Sequence, residues 1–101
     1  MRRGDLYRFT PVIQRPGQST IRLIVSSDPI NANPSFRYLH AVHVLEAAPE
    51  SLLSVRLEPH GWALVPELDR PLKRQLTEQL GTASADQMAA VDHALRALLD
   101  L

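Results

Sequence analysis

Two histidines and a glutamate fall within seven residues of one another in the stretch "HAVHVLEA", as His40, His43 and Glu46. An imidazole titrates near neutrality, so a histidine beside a phosphate is suited to giving and taking protons. His40 and His43 are three residues apart. On a regular strand they face opposite sides, and only one of them can serve a given site. The same geometry argues against zinc, because two histidines on opposite faces, with no cysteine and no helical His-x-x-x-His, leave no set of three ligands. The other group that draws notice is Arg22, flanked by Ile21 and Leu23 in "TIRLIVSSD", a charged residue inside a mostly apolar, β-branched strand.

The charges around these residues are unevenly spread. Net charge is zero, yet residues 1 to 45 hold six arginines against Asp5 and Asp28, while residues 46 to 101 hold nine acids against five bases. Ten of the eleven basic residues are arginine, whose planar fork suits phosphate better than the point charge of lysine. An anionic partner for the N-terminal half is one reading of this; a solvated face is the other.

The elements that must position these groups are mostly strands. At 101 residues the chain is read as one domain spanning 1–101. It has no cysteine, so disulfides do not hold it, and a reducing, cytoplasmic setting is expected. No apolar run reaches the length of a membrane span. The opening "RRGDLYRF" is read as part of the folded domain and not a leader, because Asp5, Arg8 and Thr10 break its apolar runs.

After that first strand and the turn cluster "QRPGQS", strands are predicted over Thr20 to Asp28, Phe36 to Ala47, Leu52 to Pro59 and Gly61 to Leu68, with "PINANPS" as a loop. Leu72, Leu76 and Leu80 then recur at four-residue intervals ahead of Gly81, which predicts a helix ending at a glycine cap. Ser84 and Gln87 form a capping-box pattern before the stripe Met88, Val91, Leu95 and Leu98, predicting a terminal amphipathic helix. The class is α+β, a small barrel-like sheet with one face covered by that helix. Of the five aromatics Tyr7, Phe9, Phe36, Tyr38 and Trp62, no more than two are expected at the surface. His93 and Arg96 are expected to face solvent, with Asp92 balancing charge.

Taken in order, "RRGDLYRF", a Pro/Gly turn, "RLIVSSDPIN" and "LGTASADQMAAVDHALRALLDL" resemble the MazF/PemK family of toxin endoribonucleases across nearly the whole chain. The resemblance implies an SH3-like β-barrel with a C-terminal helix. It also implies a homodimer whose groove takes single-stranded RNA, metal-independent cleavage to a cyclic phosphate with no cofactor, and an antitoxin that threads an acidic tail through the groove. Typical members carry an Arg-Pro pair leading the second strand and a Thr or Ser ending the third. Here Thr20 and Ile21 stand at the first place and Leu45 at the second, with Arg22 one strand period further on. On this basis Arg22 is the expected phosphate-binding cation, with His43 and Glu46 as acid/base groups. Arg15, Gln18, Ser19, Thr20 and His40 are the expected RNA contacts. "RLIVSSDPIN" also resembles the gyrase poisons of the CcdB type, although their Trp-Gly-Ile tail is replaced here by Leu99-Asp100-Leu101. A family member without catalysis is the third alternative.

Overall fold

The computed structural model describes all 101 residues. In chain order the elements are β1 (Asp5–Phe9), β2 (Ile21–Ile24), α1 (Asp28–Ala32), β3 (Ala41–Leu45), β4 (Ser54–Leu57), β5 (Gly61–Asp69), a 3₁₀ turn (Lys73–Gln75), β6 (Leu76–Thr82) and α2 (Ala85–Leu99). The six strands form one antiparallel sheet in the order β4-β5-β3-β2-β1-β6.

Alternation along the strands divides the sheet into two faces. Leu6, Leu23, Val42, Val44, Ala63 and Val65 point to one of them and make the main core, against Val91 and Ala94 of α2, with Met88, Leu95 and Leu98 packed alongside. Burying a side chain of this size stabilises by about 1.5–3 kcal/mol, so this stripe is what fixes α2. The helix begins as its sequence predicts. Ser84 Oγ accepts from the Gln87 amide at 3.1 Å, and the Gln87 side chain accepts from the Ser84 amide at 2.8 Å. A further tie holds α2 to the first residues, since the Arg3 guanidinium pairs with Asp92 and donates to the Val25 carbonyl at 2.9 Å. His93 and Arg96 face solvent, as expected.

The opposite face carries a smaller cluster of Phe9, Ile24, Leu39, Ala41 and Leu76, with Tyr7 against it. Arg22 and His43 belong to this second face.

Four expectations are corrected. The sheet is open, with β4 and β6 at separate edges, so it is not a closed barrel; α2 docks against β4 and β5 and covers that end. The predicted helix over Leu72 to Leu80 is instead the 3₁₀ turn followed by β6. Leu72 precedes this strand, and the register shifts of β6 put Leu76 in the second-face cluster and Leu80 against the main core, so the spacing of four marks no common face. The free edge of β1 then decides, pairing Phe9 with Leu76 and Tyr7 with Gln79. Gly81 is consequently no helix cap but a strand residue opposite Leu6, and a Cβ there would stand 2.5 Å from His60 Nε2. The third correction is α1, found within the segment read as loop. The last is β3, confined to Ala41–Leu45, with Tyr38 making only an isolated bridge to Leu72.

Candidate active site

The centre of the second face is a row of three side chains set by strand register. Tyr7 stands opposite Arg22 across the β1–β2 ladder, and Arg22 stands opposite His43 across the β2–β3 ladder. Residues directly opposite in antiparallel strands project to the same side, with Cβ atoms about 4.5–5.5 Å apart. β5 supplies the fourth member. Its last residue, Asp69, pairs with Ala41 and so reaches the same face.

Arg22 is 1 % exposed. A buried guanidinium needs partners for its donors, and two of its three nitrogens have them. Nε donates to Asp69 Oδ2 at 3.1 Å, while Nη1 donates to the carbonyls of Ser19 at 3.0 Å and Ile21 at 3.2 Å. The Phe9 ring lies beneath, 4.1 Å from the guanidinium carbon. Burial draws the Arg22 pKa down, and the hydrogen bond and charge of Asp69 draw it back. Arg22, the expected phosphate-binding cation, thus has Nε and Nη1 engaged by Asp69 and the turn.

His43 has the opposite character. Its side chain is 28 % exposed, with Nε2 3.9 Å from the same Asp69 oxygen. Burial first, then the charge of Arg22, push its pKa below the ordinary histidine value, while Asp69 and Glu67 oppose the shift. At neutral pH the imidazole is uncharged and has one ring nitrogen free to accept a proton.

The turn residues assemble beside this cluster. Ser19 Oγ donates to the Val44 carbonyl at 2.8 Å, which pins the turn to β3. Gln18, Ser19 and Thr20 line a hollow of about 300 Å³ together with Glu46. Arg15 joins Gln18 and Thr20 around an adjoining hollow of about 270 Å³, floored by Phe9. Four of the five predicted contacts are thus neighbours, together with the predicted acid/base group Glu46, but His40 is not among them. It lies beyond the start of β3, exposed, in a separate cavity with Phe36, Tyr38 and Arg70. Of the five aromatics only Phe36 and Tyr38 are exposed, which matches the expected maximum of two. The residue that sequence reasoning missed is Asp69, for which the signal was Arg22 itself: an arginine inside an apolar strand calls for a carboxylate. No three His, Asp or Glu side chains stand close enough to hold a metal ion.

No protein-family model matches the chain, and none of the curated proteins does so significantly. Solved structures do match. One is an endoribonuclease in complex with its cognate antitoxin from a mycobacterial species, 23 % identical, with a TM-score of 0.83 over 100 % of this chain and 96 % of that one. A second is the MazE-MazF complex from Deinococcus radiodurans, 24 % identical, with a TM-score of 0.81 over 100 % of this chain and 97 % of that one. This chain has the MazF fold. The toxin MazF-mt6 from Mycobacterium tuberculosis extends the likeness at lower identity, 14 %, with a TM-score of 0.74 over 96 % of this chain and 97 % of that one. On the MazF fold of this chain, the arginine two places beyond Thr20 is turned inward and locked to Asp69, and the partly exposed His43 stands beside the same carboxylate.

Proposed function

We propose that this chain is a toxin of the MazF kind, an endoribonuclease that cuts single-stranded RNA without a metal. The observation that carries the reading is a partly open His43 held beside the Arg22–Asp69 pair on a MazF fold, where burial draws its pKa down. RNA brings its own nucleophile. His43 takes the proton of a ribose 2′-hydroxyl, that oxygen bonds to the adjacent phosphorus, and the bond from phosphorus to the 5′-oxygen breaks. The proton finishes on the departing 5′-oxygen, leaving a 2′,3′-cyclic phosphate and a 5′-hydroxyl with no water consumed. Arg15, at the open end of the turn, is the cation for the charge that develops on phosphorus. Gln18, Ser19, Thr20 and Glu46 line the channel that holds the ribose. Arg22 and Asp69 are positioning residues, acting through the pKa and orientation of His43.

The same reading places the chain in the cytoplasm as a homodimer, restrained by an antitoxin with an acidic tail. A two-fold pair would bring both turn regions to one groove and double the positive potential offered to RNA or to that tail.

The deciding experiment incubates the purified protein with a long RNA in EDTA and maps the ends. Cleavage to cyclic phosphate, lost in His43→Ala and reduced in Arg15→Ala, is expected. Intact RNA under conditions where an authentic MazF cuts rejects the nuclease reading. Intact RNA together with trapped gyrase cleavage complexes moves the chain to the CcdB type.

A further inference from the structure

Six of the ten arginines pair with no carboxylate, and three of these six, Arg37, Arg70 and Arg74, gather at one place. They surround Phe36 and Tyr38, which are 49 % and 40 % exposed. Two cavities of about 490 and 400 Å³ meet there, sharing Phe36, Arg37 and Tyr38. Neither is lined by a single acid, in a molecule whose acids and bases are equal in number. Lys73 and His40 add to the same rim.

The patch is built, not a chance meeting of loose side chains. The Arg70 guanidinium lies over the Tyr38 ring, 4.3 Å from its centroid. Tyr38 is bridged to Leu72, and the Lys73 amide donates to the Arg37 carbonyl at 2.9 Å. The Lys73 ammonium donates to the carbonyls of Ile30 and Asn33 at 2.8 and 2.9 Å, which holds the end of α1 against the rim. Flat rings half open to solvent, with arginines around them, are the means by which proteins stack unpaired bases and neutralise the phosphates between them. An acidic peptide would use the arginines but would leave the exposed Phe36 ring and the Arg70–Tyr38 stack unexplained.

We infer that this patch is a second RNA-contact surface, on which bases flanking the cleaved bond stack against Phe36 and Tyr38 while Arg37, Arg70 and Arg74 hold their phosphates. The inference rests on the RNA-cutting reading for its occupant. Its position favours that role: Asp69, which sets His43, and Arg70, which covers Tyr38, are consecutive residues with Cα atoms about 3.8 Å apart. The patch therefore begins one residue along the chain from the carboxylate that stands beside His43.

The test uses binding without cleavage, so that its failure is distinguishable from the failure of the nuclease reading. A labelled single-stranded oligonucleotide with 2′-O-methyl riboses, which cannot be cut, is titrated by fluorescence anisotropy at several salt concentrations. Phe36→Ala or Tyr38→Ala should weaken binding by about tenfold. Arg70→Ala or Arg74→Ala should each lower the salt slope of log K by about 0.7. Arg96→Ala, which removes an exposed arginine from α2, should change neither, and thermal unfolding of each variant reports whether it is folded. Folded patch variants that bind as tightly as the parent overturn the inference. So does a poly-glutamate peptide whose binding is lost in these variants while RNA binding is not, because the surface would then be a protein-docking site.

Discussion

Asp69→Asn is the substitution on which the account of the site turns. Arg22 and Asp69 lie 3.1 Å apart with side-chain exposures of 1 % and 33 %, whereas Arg8 and Glu78 lie at the same 3.1 Å with exposures of 50 % and 62 %. Distance is held constant between the two pairs, so burial alone separates them. Two unit charges about 4 Å apart attract by about 4 kcal/mol at an effective dielectric of 20. Removing one partner of a fully enclosed pair costs about 3–5 kcal/mol. Asp69 is a third open to water and asparagine still offers Arg22 an acceptor, so the expected loss is about 2 kcal/mol. For a domain of this size that lowers the melting temperature by about 8–16 °C. Glu78→Gln should cost less than about 1 kcal/mol. Urea unfolding of the two variants measures the difference, and an NMR titration of His43 measures a second consequence. Asp69 raises the pKa of His43, so without its charge that pKa should fall further. If Asp69→Asn costs no more than Glu78→Gln and His43 titrates unchanged, the buried pair does not do what is claimed for it.

The depressed pKa of His43 also sets a pH dependence. The unfolded imidazole takes up a proton below about 6.5, which the folded one resists. Stability should therefore be full above that value and fall as the pH drops toward the folded pKa, and His43→Gln should flatten this window in chemical unfolding curves. Gly61 has a φ of +122°, and a Cβ there would stand 2.2 Å from the Leu45 carbonyl oxygen. Gly61→Ala should destabilise by at least about 1–3 kcal/mol, and an unchanged melting curve would place the β4–β5 turn elsewhere. Sedimentation at micromolar concentration should give about twice the 11.3 kDa mass of one chain; a monomer alone would remove the shared groove.

What could be read in the sequence was governed by how local its cause is. The capping box at Ser84 and Gln87 and the stripe behind it depend on neighbours within one helix, and α2 forms where they predict. The leucines at 72, 76 and 80 have the spacing of a helix, yet Leu76 and Leu80 entered β6, and that choice was made by an edge of β1 almost seventy residues away. The start of α1 was locally signalled, since Pro29 follows Ser27 and Asp28 in the first turn, but the surrounding prolines and asparagines favoured a loop reading. At the site, His40 and His43 were placed on opposite sides of one strand; β3 begins only at Ala41, and the two histidines lie at separate places, His40 in the cavity with Phe36 and Tyr38 and His43 beside Asp69. The burial of Arg22 was not legible from Ile21 and Leu23, which point to the opposite face of the strand. Nor was it legible which of the eleven acids would meet it, because Asp69 arrives through the β3–β5 pairing.

The position of β1 between β2 and β6 has a consequence for how the molecule is made. Asp5 stands opposite Thr82, and the Thr82 hydroxyl donates to its carboxylate at 3.1 Å across 77 positions of sequence. A ribosome therefore delivers the first strand long before its second neighbour exists. Until about residue 76 has emerged, one border of β1 presents bare amide and carbonyl groups, the kind of template that recruits foreign strands. Long-range pairing of this sort is slow to form, so the exposure is prolonged. β6 ends it, and the border it leaves is of a different nature: its register shifts twice against β1, and Thr77, Glu78 and Gln79 face outward. Irregular, charged borders resist further growth of a sheet. The nascent chain is thus most adhesive along the side that its final strand later makes inert.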